Sequence, residues 1–410
     1  MKLRDLGPGL ITGAADDDPS GIATYSQAGA RFGYSLLWTT VLTWPLMAAI
    51  QLISARIGYA TGRGLTANIR SNFPRPVLLA VVLLLVLANG FNIAADIAAM
   101  GEALRLVLGG SAVVYSLTFS MACLLLQVFM RYQSYVRYLK WLTLALLSYA
   151  VVVFTIHVPW AAMLRGALLP QLHMDRDMLE MIVAVLGTTI SPYLFFWQAA
   201  QEMEDARLRS DSPDDLAAAR LQLRRTKWDT IIGMGFSNLI AFFIMLSTAA
   251  TLHASGLHDI QTSAQAAEAL RPIGGELTFL LFSCGIIGTG LLAVPVLAGS
   301  AAYAVAECFD WPYGLDLKLH QARGFYGIVA LATLGGVVLQ FLRSDPIQEL
   351  FWSAVLNGLV AVPIMVVMMQ LASRSAVMGP FALRGRLQLV GWLATAVMAL
   401  AAAGMLISFF

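Results

Sequence analysis

Charge is scarce in this chain. Asp, Glu, Lys and Arg make up 12% of its 410 residues while 59% are hydrophobic, and the mean hydropathy is +0.73; soluble domains carry about a quarter charged residues. That scarcity excludes a soluble globular protein and leaves an integral membrane one. The formal net charge is only +2, with the basic residues scattered through short loops, which excludes an electrostatic footprint for nucleic acid. Cysteine is equally sparse. Cys123, Cys284 and Cys308 lie far apart in or beside apolar segments, giving neither a disulfide framework nor a metal-site spacing. Met1 to Arg4 run on without a small-residue cleavage site, so no secretory signal is expected. No paired nucleophile and base, phosphate loop or cofactor fingerprint occurs in a soluble stretch long enough to hold one, so the expectation is no enzyme and no resident cofactor.

Apolar runs, by contrast, are abundant. Crossing about 30 Å of hydrocarbon takes roughly twenty residues, and eleven segments qualify: Leu6 to Phe32, Leu36 to Tyr59, Val77 to Leu108, Val113 to Met130, Tyr138 to Val158, Met178 to Gln201, Ile231 to Leu252, Leu277 to Cys308, Phe325 to Leu342, Leu350 to Ala372 and Leu389 to Phe410. Cytoplasmic loops carry the excess of Lys and Arg. With the N-terminus inside, 20 of the 26 basic residues fall on the inner side, and only Arg31, Arg105, Arg165, Arg176, Arg271 and Arg343 fall outside. Eleven spans with a cytoplasmic N-terminus and an outer C-terminus, in the cell (inner) membrane, are therefore expected.

Two segments are interrupted by polar residues and proline, the first at Asp16 to Gly21 and the sixth at Gly187-Thr188-Thr189-Ile190-Ser191-Pro192. Pro removes a backbone donor and disfavours helix just before it, and Gly tolerates most backbone angles. Leu3 to Ala15 and Met178 to Ile190 each make a half-helix of roughly 20 Å, which reaches the midplane without crossing. Breaks at positions one and six are what two five-helix repeats would produce, and the odd number makes the second inverted. The expected fold is all-α, with repeat one over 1–160, inverted repeat two over 175–375 and an additional helix over 385–410. Broken helices in matching positions of inverted repeats point to a transporter's binding site.

The chemistry at the breaks is all oxygen. Asp16, Asp17 and Asp18, carbonyls around Gly21, the carbonyl of Thr188 and the carbonyl or hydroxyl of Ser191 suit hard cations, and no Met, Cys or His lies in either break. The plainer alternatives are that the aspartates cap the following half-helix and that Ser191-Pro192 is a proline kink repaired by a hydroxyl. In the third segment Asn89, Asn92 and Asp96 fall within about 60° of one another on one helical face. The asparagines read as interhelical hydrogen-bonding glue or as a pathway wall; a buried acid such as Asp96 needs a stronger reason. Gly285, Gly288, Gly290, Gly299 and Pro295 read as packing in the eighth helix. His253 and His258 read as solvated loop residues, and Glu202, Glu204, Asp205, Asp211, Asp214 and Asp215 as a short amphipathic cytoplasmic helix.

Gly7-Pro8-Gly9, Asp18-Pro19-Ser20-Gly21 and Gly187-Thr188-Thr189-Ile190-Ser191-Pro192-Tyr193 resemble the Nramp family of divalent metal transporters, over nearly the whole chain and including the count of eleven helices. The resemblance implies a LeuT-type fold and a divalent metal as substrate, held at Asp18 and its neighbours within the lipid bilayer. Against the family's Asp-Pro-Gly-Asn and Ala-x-x-Met-Pro-His motifs, Gly21 replaces the Asn, Thr188 the Ala, Ser191 the Met and Tyr193 the His. Loss of the thioether shifts the expected preference toward Mg2+, with Mn2+ or Fe2+ next, and loss of the Asn side chain is expected to widen the site. The family's Asp and Glu in the third helix become Asp96 and Ala99, and the ninth segment carries no internal charge, so tight proton coupling is not expected. The chain is similar in these losses to Nramp-related magnesium transporters. The alternatives are a proton-coupled Mn2+/Fe2+ symporter, an organic-solute symporter of the same fold, and a channel or metal sensor.

Overall fold

The computed structural model describes residues 12–13, 15–129, 144–171, 175–209, 216–315, 317–339 and 346–409. Gly7-Pro8-Gly9, most of the first half-helix, the start of the fifth segment, and Asp211, Asp214 and Asp215 lie outside them. The principal helices are α1 (Pro19–Phe32), α2 (Leu37–Thr61), α3 (Arg75–Leu108), α4 (Ala112–Phe129), α5 (Leu147–Thr155), α6 (Arg176–Thr189), α7 (Pro192–Arg209), α8 (Leu216–Thr248), α9 (Thr278–Phe309), α10 (Arg323–Leu339), α11 (Pro346–Ser373) and α12 (Arg386–Ile407). Each of the eleven expected segments meets one or two of them. Among the described residues, eight helical stretches are long and apolar enough to span a bilayer, one of them joining α1 to α2 and one joining α6 to α7; Arg323–Val337 is a shorter apolar helix.

Burial sorts these helices by depth. Peripheral helices keep a lipid-facing stripe, as α12 does with Leu389, Leu393, Leu400 and Ile407 exposed. In α1 every residue from Pro19 to Ala30 is buried, and in α6 every residue from Met178 to Thr189. A helix buried on all sides belongs to the interior. α1 packs against α3, α6, α8 and α11, and α6 against α11, α12 and α1, so the two half-helices form the axis of the bundle. Close approach there needs small residues: a Cβ on Gly187 would collide with the carbonyl of Ala354 in α11. On α9, Gly290 and Gly299 back onto Met100 and Trp197, in line with the packing reading.

The acidic stretch that begins at Glu202 departs from expectation. Glu202 and Glu204 are not on a separate surface helix; they sit on α7, which runs on to Arg209, and are 1% and 8% exposed. Hydrogen bonds offset their burial. Glu204 accepts from Tyr303 Oη at 2.6 Å and from the Leu315 amide at 3.1 Å, and Glu202 accepts from Gln198 Nε2 at 3.1 Å and Thr226 Oγ1 at 3.3 Å. Residues 217–219 likewise continue α8 without a break.

Candidate metal site

Both interruptions are narrower than the sequence predicts. Helix resumes at Pro19, so among the described residues of the first segment Asp17 and Asp18 are the ones outside helix, and Gly21 lies in the first turn of α1 with no freed carbonyl of its own. The second interruption is Ile190 and Ser191, between α6 and α7. Pro19 and Pro192 explain both positions: each stands as the first residue of a helix, where a missing N–H costs nothing and its fixed φ suits the helix.

Asp18 holds an extended backbone (φ −69°, ψ 169°) and caps α1. Its Oδ1 accepts from the Gly21 amide at 2.8 Å and from Ser20 Oγ at 2.7 Å, and its Oδ2 accepts from Asn92 Nδ2 on α3 at 2.9 Å. The capping reading is thus realised: one oxygen caps the helix, while the other faces the polar stripe of α3. Asn92 keeps an unpartnered Oδ1 beside it, and both oxygens of Asp96, one turn further along, lack a hydrogen-bond partner. Asn89 is glue, donating to Leu297 O at 2.9 Å and Ser300 Oγ at 2.7 Å.

Asp16 and Asp17 turn toward α8. Ser237 Oγ lies 2.6 Å from Asp16 Oδ2 and 3.0 Å from Asp17 Oδ1, and Asp16 Oδ1 has no partner. Sequence reasoning missed Ser237, which sits in an apolar run with no motif around it. From α6, Thr188 Oγ1 is buried and unpartnered; a Cβ on Gly21 would stand 3.1 Å from it and 3.3 Å from the Tyr25 ring. The two half-helices therefore touch at Gly21 and Thr188, and the absence of an Asn side chain makes room for Thr188 and Tyr25 instead of widening the site. Ser191 Oγ donates back to the carbonyls of Gly187 and Thr188, both at 2.8 Å, so the hydroxyl does repair the kink and occupies the Thr188 carbonyl. Tyr193 Oη donates to Ala15 O at 3.1 Å, and Tyr25 Oη pairs with Thr189 Oγ1 at 2.9 Å. These two bonds cross-link the halves of the broken helices.

Four carboxylates, Asp16, Asp17, Asp18 and Asp96, are thus 3% exposed or less. Among the described residues none forms a salt bridge, and no three His, Cys, Asp or Glu side chains converge on one point. Removing a charge from water costs several kcal/mol unless a counter-charge and hydrogen bonds offset it, so the burial of these four carboxylates calls for a proton, a cation or hydrogen-bond donors beside each.

Comparison with known proteins points the same way. The model of the family described as natural resistance-associated macrophage protein-like matches residues 9–408. The divalent metal cation transporter MntH of Yersinia enterocolitica is 30% identical over 309 residues, covering 73% of this chain and 72% of that protein. The crystal structure of the Eremococcus coleocola manganese transporter superposes with a TM-score of 0.78 at 18% identity, covering 97% of this chain and 85% of that one. MhsT in complex with L-phenylalanine superposes at 0.61 with 13% identity, covering 98% and 97%. The fold is that of the LeuT-type transporters, and the chain belongs to the Nramp family, whose members are membrane transporters of divalent metals and not enzymes.

Proposed function

We propose that this protein carries a hard divalent cation through the membrane, Mg2+ first and Mn2+ or Fe2+ next, by alternating access about the two interruptions. The observation that carries the reading is Asp18. Its carboxylate is buried at the start of α1, unpaired with any described cationic side chain, and hydrogen-bonded to the Ser20 hydroxyl, the Gly21 amide and the Asn92 side-chain amide. Oxygen donors suit Mg2+, Mn2+ and Ca2+, and the absence of a thioether removes the element that favours softer ions. Asp18 is the principal ligand in this proposal, with Asp17, Thr188 and Ser191 as neighbours and Gly21 as the contact that lets α6 approach. Asp16, Asn92, Asp96 and Tyr193 line the route.

The relatives support the substrate class: MntH proteins are named divalent metal cation transporters and the Eremococcus protein a manganese transporter. Repeats over 1–160 and 175–375 would rock about α1 and α6, with the N-terminus cytoplasmic. Transport without tight proton coupling follows from Tyr193 and Ala99 standing where the family pattern has titratable groups. One observation favours a proton-coupled Mn2+ reading instead: Asp96 is buried with neither oxygen hydrogen-bonded. Uptake into proteoliposomes with Mg2+, Mn2+, Fe2+ and Ca2+ in competition tests the substrate order, and equal exclusion of all four ions would reject the function.

A further inference from the structure

The two histidines expected to be solvated are packed together. α8 ends in a π-helical turn, Ala249–His253, a form often found at functional sites. The following loop folds back through Ser255 N to Thr251 O, Gly256 N to His253 O and Leu257 N to Leu252 O, which returns His258 over His253. Their rings meet edge to face with centroids 4.6 Å apart. His253 Nδ1 lies 2.8 Å from Ala30 O, His258 Nδ1 lies 3.4 Å from the same oxygen, and the two Nδ1 atoms are 3.2 Å apart. Gly33 makes room for this arrangement, since a Cβ there would stand 3.1 Å from His253 Nε2.

We propose that His253 Nδ1, His258 Nδ1 and Ala30 O form a second metal site, selective for borderline first-row ions such as Zn2+, Co2+ and Ni2+. The triangle has the dimensions of one coordination face. With Zn–N at about 2.0–2.1 Å, adjacent ligands of a tetrahedral ion are about 3.3 Å apart, against observed edges of 2.8, 3.2 and 3.4 Å. An ion about 2.1 Å from all three atoms would sit about 1 Å above their plane. The remaining positions would be taken by water, because His258 is exposed and His253 half-buried.

Both chemistry and electrostatics favour a cation here. Ala30 lies in the last turn of α1, where carbonyls lack intrahelical partners and the helix end carries partial negative charge. With its proton on Nδ1, His253 donates to that carbonyl. Shifting the proton to Nε2 turns Nδ1 into a ligand at no cost in net charge. Asp259, the nearest acid in sequence, is engaged by Gln27 Nε2 at 2.7 Å and Gln261 Nε2 at 3.3 Å, and among the described residues no carboxylate joins the two histidines in a metal-holding group. Two imidazoles without a carboxylate select Zn2+, Co2+ or Ni2+ against Mg2+ and Ca2+.

The site stands twelve residues along α1 from Asp18, about 18 Å at 1.5 Å per residue. Its position on the outer side rests on the orientation proposed above; the ligand chemistry does not. The test is Zn2+ calorimetry on the purified full-length protein, in the parent and in an Asp18→Ala background that silences the central site. His258→Gln and His253→Gln should each weaken Zn2+ binding at least tenfold in both backgrounds, and 10 mM Mg2+ should leave it unchanged. Zn2+ should also protect both histidines from diethylpyrocarbonate, a readout available without either variant. Zn2+ binding in Asp18→Ala that is indifferent to His258→Gln, or no protection of His253 and His258, would overturn the proposal, and neither result would touch the function assigned to Asp18.

Discussion

Replacing Asp18 separates its two roles. Asp18→Asn removes the charge and keeps the cap, because Asn and Asp are nearly equal at helix N-termini. Its Oδ1 can still accept from the Gly21 amide and Ser20, and its new amide can donate to Asn92 once that side chain flips to offer the oxygen now unpartnered. Folding should therefore change by less than about 1 kcal/mol. Metal affinity should fall by about 3–5 kcal/mol, the usual cost of removing one partner from a buried charge pair, which is a loss of roughly 150- to 5,000-fold. Asp18→Ala should lose the same affinity and also stability. It deletes the cap, worth about 1 kcal/mol, and leaves buried donors at Gly21 and Asn92 without their acceptor at about 1–3 kcal/mol each before relaxation. Calorimetry with Mn2+ and Mg2+, uptake into proteoliposomes and thermal unfolding of all three proteins measure each component. Parent-like uptake by a well-folded Asp18→Asn protein would refute the assignment of the site, and equal stability of the Asn and Ala variants would refute the hydrogen-bond accounting.

Five further outcomes are expected. Ser237→Ala should destabilise the protein by about 1–3 kcal/mol by leaving Asp16 and Asp17 without their shared donor, and Asp17→Ala should reduce uptake less than Asp18→Ala; thermal unfolding and initial uptake rates report these. Ser191→Met with Gly21→Asn should move the transport ratio from Mg2+ toward Mn2+ only when Thr188→Ala makes room for the new side chain beside Thr188 Oγ1; an unchanged ratio in the triple variant would show that the two interruptions are not the selectivity element. In liposomes loaded with a pH-sensitive dye, a metal gradient should produce uptake without acidification; acidification that disappears in Asp96→Asn would make Asp96 the coupling residue. Gly187→Val should abolish transport by forcing α6 off α11, at a cost of at least about 1–3 kcal/mol, visible as loss of monodisperse protein in size-exclusion chromatography.

What was legible in the linear order of residues was whatever depends on composition and local backbone rules. The apolar runs located the helices because a bilayer demands some twenty apolar residues per span and internal satisfaction of every backbone group. Pro19 and Pro192 located the interruptions to within a few residues because proline acts on its own neighbours. Asp18 stood out because a carboxylate is costly in an apolar segment, and the α3 stripe because helical periodicity alone puts Asn92 and Asp96 on one face. The family pattern at the two interruptions pointed to the LeuT-type fold for the same local reason.

Only the tertiary structure decided which groups meet. Ser237 is 221 residues from Asp16 and Asn92 is 74 from Asp18, and no pattern within one helix encodes such a pairing. The space at Gly21 was misjudged from sequence because a missing side chain leaves a gap only if no neighbour moves in, and Thr188 and Tyr25 do. Glu202 and Glu204 looked solvated because their charge was counted without the donors that Thr226, Tyr303 and Leu315 bring to α7 from elsewhere in the fold. The contact between His253 and His258 was not legible for the same reason: the partner they share is a main-chain carbonyl on α1, more than 220 residues away. Side-chain identity along the chain determined what each group can do; packing of the two broken helices determined which groups act together.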